Sequence, residues 1–399
     1  MSMNETPLAE RKHIAFFGCR NAGKSSLINA VTGQKLAIVS DIKGTTTDPV
    51  YKSMELLPAG PVVFIDTPGI DDEGSLGEER VKKAFDVLNK ADLAVVVIDV
   101  NEGANASDEK IISAIKEKQL PCLIVYNKCD TPELQAKTEE AGIMRVSAKT
   151  GYNINQLKEQ IAQLLVAENA GAQKPLVEDL VEPGSYVLLV VPIDKAAPKG
   201  RLILPQQQVI RSLLDTGAVP IVVRDSELEQ VLQKTGSFIS LVITDSQAFK
   251  KVAAIVPENI PLTSFSILFS RYKGELKLQL EAAAVLDSLE DGDKILIAEG
   301  CTHHRQCGDI GTQKIPAMLK QYCAKDISFE FTSGTEYPEN LTPYRIVIHC
   351  GGCMLNEKEM KSRIARTSAQ NIPITNYGMV LAKMTGVLDR SIAPLKDKL

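Results

Sequence analysis

The chain has 399 residues, of which 44% are apolar and 24% charged, with a formal net charge of −5. This balance implies two or three globular domains with real cores, and the lack of a Lys/Arg-rich stripe argues against a nucleic-acid surface. No apolar run approaches the roughly 20 residues of a membrane span, and residues 1–12 lack the apolar centre of a signal peptide, so the eight cysteines are expected as cytoplasmic thiols or metal ligands, not disulfides.

In chain order, the first element is an apolar strand, His13-Ile14-Ala15-Phe16-Phe17. It runs directly into Gly18-Cys19-Arg20-Asn21-Ala22-Gly23-Lys24-Ser25, with a helix opening through Ser26. The spacing G-x-x-x-x-G-K-S lets backbone N–H groups wrap nucleotide phosphates at a helix N-terminus. Lys24 is expected to reach the β- and γ-phosphates, and the Ser25 hydroxyl to bind magnesium. A second apolar run, residues 61–65, delivers Asp66-Thr67-Pro68-Gly69. Asp66 is placed to hold magnesium through water, and the Gly69 N–H to meet the γ-phosphate. Residues 93–97 form a further strand. The run Cys122-Leu123-Ile124-Val125-Tyr126 then leads to Asn127-Lys128-Cys129-Asp130, where the Asp130 carboxylate can accept two N–H bonds that guanine offers and adenine does not. Ser147-Ala148-Lys149 follows a short strand at 143–146 and is expected to close over the base. These motifs in this order specify a GTPase. Cys19, Cys122 and Cys129 are read as packing residues.

Residues 12–165 resemble the Era/TrmE-like branch of the translation-factor-related GTPases. The stretch from Gly33 through Ser40 to Gly44-Thr45-Thr46-Thr47-Asp48-Pro49 is similar to that branch's first switch. The resemblance implies Thr46 as a magnesium-binding threonine, with Thr45 as the alternative. Many relatives carry arginine where Thr47 stands, so nothing specific to arginine carries over. Ile70 occupies the place of the water-orienting glutamine of Ras-type proteins. The branch compensates with potassium, and Asn21 matches the loop asparagine of potassium users. Lys24, Thr46, Asp66 and Gly69 are thus the expected catalytic positions.

A helix over 154–167 closes the P-loop GTPase domain, assigned to residues 1–168, and residues 168–175 read as a small, polar linker. Strand-like segments at 186–191, 218–223 and 238–243 alternate with helix-like ones at 207–215, 227–234 and 246–254. This is a small parallel βαβ unit over 175–262. It holds no Cys and no His, so its expected task is assembly, as a homodimerisation domain.

The remaining α/β domain, residues 263–399, begins with a helical pattern at 274–289. The strand Lys294-Ile295-Leu296-Ile297-Ala298 ends in Glu299-Gly300-Cys301-Thr302-His303-His304. A helix near 314–322 and a strand at 327–331 follow. The strand Arg345-Ile346-Val347-Ile348 then ends in His349-Cys350-Gly351-Gly352-Cys353. Helices are expected at 357–366 and 376–384. Three cysteines and several histidines therefore sit just past two strand ends, the edge of an open α/β sheet where ligands bind. This predicts that the two strands lie side by side and carry a metal or iron–sulfur site. Zinc held by three cysteines and one histidine suits the same donors. Cys307 and Cys323 are read as structural.

Taken whole, the chain resembles the HydF family, GTPases that act as scaffolds in H-cluster assembly for FeFe-hydrogenases. The resemblance rests on the GTPase motifs together with Cys301-Thr302-His303 and His349-Cys350-Gly351-Gly352-Cys353. It implies a 4Fe–4S cluster held by Cys301, Cys350 and Cys353, with an exchangeable fourth ligand for which His303 and His349 are candidates. It further implies a transient diiron H-cluster precursor received from radical-SAM maturases and passed to apo FeFe-hydrogenase. Two rival readings are an RNA-modification or ribosome-assembly GTPase and a zinc-stabilised regulatory GTPase.

Overall fold

A computed structural model describes residues 6–33, 48–71, 75–136, 143–169, 174–193, 202–300, 309–334 and 336–398. The chain is α/β throughout. It divides into two compact units, residues 1–172 and 173–399.

The first unit is built on one six-stranded sheet. Its strands are β1 (Lys12–Phe17), β2 (Val50–Leu56), β3 (Gly60–Asp66), β4 (Leu93–Asp99), β5 (Cys122–Asn127) and β6 (Ile143–Arg145), in the spatial order β2-β3-β1-β4-β5-β6. β4 reads Leu-Ala-Val-Val-Val-Ile-Asp and is buried along its whole length. Such an unbroken apolar run marks a central parallel strand covered by helices on both faces. Two apolar cores follow from this, one on each side of the sheet. Leu27, Ile28 and Leu157 belong to one, and Val87, Ile111 and Ile115 to the other. The expected strands all form. β2 was not anticipated: it runs antiparallel to β3, and only one side of it is buried. The helix Ala106–Glu117 opens on a capping box, in which Asn105 accepts N–H bonds from Ser107 and Asp108 while Asp108 answers the Asn105 N–H.

The second unit carries two four-stranded parallel sheets. One contains β7 (Tyr186–Val190), β8 (Val219–Val223), β9 (Ile239–Thr244) and β10 (Leu262–Ser264), ordered β10-β9-β7-β8. The other contains β11 (Lys294–Ala298), β12 (Ser328–Thr332), β13 (Ile346–His349) and β14 (Ile374–Asn376), ordered β12-β11-β13-β14.

Three differences from the sequence reading have physical causes. The expected boundary at 262 falls on β10, which pairs with β9, and the helix Phe265–Lys273 continues the same core. The helical pattern at 274–289 is two pieces, a helix Leu276–Ala283 and a 3₁₀ segment Ala284–Ser288. Finally, although each sheet has apolar layers of its own, helices of the C-terminal part also pack into a cluster with the first sheet. Val187, Leu213 and Phe249 of the first share one apolar cluster with Phe265, Leu268, Met379, Ala382 and Ile392. Among the described residues no helix is long and apolar enough to cross a membrane.

Candidate functional site

In the first unit, the carboxyl ends of β1, β3 and β5 converge on one loop. Gly18 and Gly23 both adopt positive φ, +144° and +91°. Neither could bear a side chain, since a Cβ would lie 2.2 Å from the Val97 carbonyl oxygen at Gly18 and 2.2 Å from Asn127 Nδ2 at Gly23. The helix Lys24–Thr32 starts there, so its unpaired N–H groups face the loop. Lys24 is buried and donates from Nζ to the Gly18 and Cys19 carbonyls at 2.7 and 2.9 Å, which holds the ammonium across the cradle. Asn21 is exposed at the loop's tip, with φ +61°.

Ser25 Oγ donates to Asp66 Oδ2 at 2.5 Å, while Asp66 Oδ1 is buried with no hydrogen-bond partner. Burial pushes the Asp66 carboxyl above its ordinary range, opposed by Ser25, Lys24 and Lys52. A buried carboxylate oxygen without a partner, beside a serine hydroxyl, fits magnesium, a hard cation that takes oxygen ligands. Gly69 packs against Arg20, and a Cβ there would lie 2.5 Å from Arg20 Cγ. Thr45 and Thr46 lie outside the described residues.

At the base end, Asn127 ties two loops together. Its Nδ2 donates to the Ala22 carbonyl at 3.0 Å, and its Oδ1 accepts from the Ala148 N–H at 3.1 Å. Ser147 Oγ donates to Asp130 Oδ1 at 2.6 Å, and Lys149 Nζ lies 3.9 Å from Asp130 Oδ2. Ser26 follows Ser25 in the same helix. The sequence reading missed Asp99. Lys128 has φ +66° and places Nζ 2.6 Å from Asp99 Oδ2. Burial works against the Asp99 charge, yet Lys128 and Asn101 hold its carboxyl below the ordinary range. Only the folded order of β4 and β5 brings these two residues together.

In the second unit, β11 and β13 pair in parallel with Ala298 opposite His349, as the shared site required. The Cys350 N–H donates to the Ala298 carbonyl at 2.8 Å, continuing the ladder past the strand end. Cys350 Sγ accepts from the Gly300 N–H at 3.0 Å and from the Gly352 N–H at 3.4 Å. Gly352 takes φ +62° and allows the tight turn that returns Cys353 to the same edge. Burial raises the Cys350 thiol to about 11, partly offset by those two N–H groups. Two half-buried thiols in one turn, one already accepting backbone N–H bonds, fit a thiophilic metal or cluster. Cys301, His303, His304 and Cys307 lie outside the described residues. Cys323 packs against the apolar core of this sheet.

His349 requires a correction. Its side chain is fully buried, with Nδ1 2.8 Å from the Cys350 carbonyl and Nε2 3.1 Å from Arg363 Nη1. A guanidinium can only donate, so Nε2 accepts and Nδ1 carries the proton. Both ring nitrogens are therefore engaged, and His349 does not fit the role of fourth ligand in this arrangement. Burial, with Arg363 adding to it, pushes the imidazole down to about 3, and the Cys350 carbonyl opposes the shift. Arg363 is itself held by the Gly334 carbonyl at 2.7 Å and Glu359 at 3.0 Å. Glu299, at the exit of β11, is also buried and accepts from Tyr377 Oη at 3.2 Å.

Comparison with known proteins follows this division. Residues 277–394 match a family model described as the hydrogen maturase F tetramerization domain, and residues 176–274 one described as the hydrogen maturase F dimerization domain. Together these two span more than half of the chain. They meet after the helix Phe265–Lys273, in keeping with the placement of β10. Residues 13–128 match a model described as a 50S ribosome-binding GTPase. The chain is 38% identical over 161 residues to the tRNA modification GTPase MnmE of Legionella pneumophila strain Corby, covering 40% of this chain and 35% of that protein. It is 37% identical over 178 residues to GTPase Der of Wolinella succinogenes, covering 41% of this chain and 37% of that one. The chain thus spans about a third of the length of the curated relatives it matches. A solved structure of Aquifex aeolicus Era bound to GDP·AlF4− aligns at 23% identity and a TM-score of 0.35, covering 53% of this chain and 92% of that one.

Proposed function

Since the chain belongs to the hydrogen maturase F family, we propose that it is a GTP-hydrolysing scaffold that carries a 4Fe–4S cluster and serves FeFe-hydrogenase maturation. The observation that carries this reading is the turn Cys350–Cys353 on a strand hydrogen-bonded to the one leading into Cys301. Cys350 and Cys353 would hold the cluster together with Cys301. Three thiolates leave one iron open, and an open iron can take an exchangeable ligand or a second metal unit. That unit is cargo here: a diiron precursor of the H-cluster, taken from radical-SAM maturases and delivered to apo FeFe-hydrogenase. His303 remains the histidine proposed for the open position.

In the first unit, Gly18, Asn21, Ala22, Gly23, Lys24, Ser25 and Ser26 would bind the phosphates, and Asn127, Lys128, Asp130, Ser147, Ala148 and Lys149 the guanine. Ser25, Asp66 and Thr46 would hold magnesium, which supplies charge neutralisation on the phosphates. Lys24 and the Gly69 N–H would add to that stabilisation, and Asn21 would hold potassium. The two matched assembly domains support self-association, proposed here as a homodimer at least.

The test is metal analysis and electron paramagnetic resonance of protein purified and reconstituted without oxygen. About four iron atoms per chain are expected, lost or much reduced in Cys301→Ser, Cys350→Ser and Cys353→Ser but kept in Cys323→Ser. Stoichiometric zinc without iron would overturn the scaffold reading in favour of a zinc-stabilised GTPase.

A further inference from the structure

Lys273 is the last residue of the helix Phe265–Lys273, a position where lysine ordinarily extends its head to water. Here the side chain is turned inward and is buried. Its Nζ donates to the Leu355 carbonyl at 2.9 Å and lies 5.7 Å from the centroid of the Phe269 ring. Leu355 closes the turn that follows Cys353, since its N–H reaches the Gly352 carbonyl at 3.0 Å. The Leu355 side chain also seats against Gly300, where a Cβ would lie only 2.6 Å from Leu355 Cγ. Gly300 in turn donates to Cys350 Sγ. Lys273 thus supports a segment that touches both strand exits of the cysteine site. Leu355 stands two residues past Cys353, so the ammonium is held beside the cysteine turn.

We infer that Lys273 is a positioning residue of the cysteine site, holding the Cys350–Leu355 turn through the Leu355 carbonyl and balancing, with its ammonium, the negative charge of a thiolate-bound cluster. The inference rests on the cluster reading above. A buried cation is stabilised by the charge it faces, and an iron–sulfur cluster gains negative charge on reduction. A cation beside the cluster therefore favours the reduced form and raises the midpoint potential.

Three substitutions separate charge from support. Lys273→Met removes the charge and the donor, Lys273→Gln keeps an N–H donor without charge, and Lys273→Arg keeps both. The probe is the reconstituted full chain, followed by a redox titration read by electron paramagnetic resonance. With iron content matched, Lys273→Met and Lys273→Gln are expected to titrate at more negative potential than the wild type. At the wild-type midpoint their reduced fraction should fall several-fold, and Lys273→Arg should restore it. A wild-type potential in Lys273→Gln at full iron content means that the residue is only a strut, and overturns the inference. Should both neutral variants lose the cluster with native circular dichroism, retention in Lys273→Arg supports the charge role and loss in Lys273→Arg overturns it. A wild-type chain that takes up no iron overturns the cluster reading, and the inference falls with it.

Discussion

Ser147 fixes one oxygen of Asp130 at 2.6 Å, which orients the carboxylate, and Asn127 is tied at both ends of its amide. Such a carboxylate accepts a pair of N–H donors. In Asp130→Asn an amide donor would face them instead, and each unsatisfied buried donor costs roughly 1–3 kcal/mol. The variant is therefore expected to lose GTP hydrolysis tenfold or more and to prefer xanthosine triphosphate; unchanged GTP kinetics would remove Asp130 from base recognition. His349 gives a second residue-scale prediction. Its imidazole is held down to about 3 in the folded chain but has an ordinary value near 6.5 when unfolded. Between those values the unfolded state binds the extra proton, so this residue's contribution to stability is present above about 6.5 and is lost as the pH falls toward 3. From pH 7 to pH 5 the loss amounts to roughly 2 kcal/mol. The unfolding transition of the second unit in metal-free protein should show this loss, and His349→Asn should flatten it. A variant as acid-sensitive as the wild type would place the effect elsewhere. Lys24, Ser25, Asp66, Asn127 and Asp130 were nameable as candidates from the sequence because each stands inside a short motif. Arg363 on His349, Lys128 on Asp99 and Lys273 on Leu355 were not, because each pair meets only through folding, across 14, 29 and 82 residues.

At the scale of elements, the apolar runs were legible because a strand buried on both faces needs no alternation, and β1, β4, β11 and β13 are such strands. β2 escaped notice because it is an edge strand covered on one side only, with Tyr51 exposed and Lys52 buried. Edges also govern assembly. Among the described residues β8 terminates its sheet, and Val219 and Val222 on it are 40% and 44% exposed. Tyr186 and Phe238 form an exposed aromatic pair at one end of the same sheet, with ring centroids 6.4 Å apart. An unpaired edge with exposed apolar side chains is a site for pairing with another chain. The other edge strand, β10, is buried throughout. Self-association through the middle sheet is thus expected along β8. A lysine at Val222 would oppose its own copy across such a contact, so Val222→Lys should lower the particle mass measured by light scattering. An unchanged mass would shift the interface away from this edge.

The whole molecule divides where its cores divide. Residues 1–172 own two apolar layers around one sheet, whereas in residues 173–399 each sheet has layers of its own and helices beside the second sheet join a further cluster with the first. Phe265, Leu268, Met379 and Ala382 stand in that cluster with Val187, Leu213 and Phe249. Burying one large apolar side chain contributes about 1.5–3 kcal/mol, and a domain's whole stability is roughly 5–15 kcal/mol. A cut that exposes several of these residues at once therefore exceeds what a domain can lose. Periodicity in the sequence located the linker near 170, because it is polar and small. It could not show the helix Phe265–Lys273 joining the cluster of the first sheet, because such packing leaves no mark on local composition. Two fragments test this. Residues 1–172 should fold alone and hydrolyse GTP at a rate within a few-fold of the full chain, with any potassium stimulation retained. Residues 173–399 should fold alone and take up iron after anaerobic reconstitution. By contrast, residues 263–399, which contain Cys301, Cys350 and Cys353, should be insoluble or unfolded by circular dichroism despite carrying all three cysteines proposed as ligands. If this shorter fragment folds and binds a cluster as well as 173–399 does, the shared apolar packing is not what holds the site's scaffold together, and the sheet of β11–β14 is an independent domain.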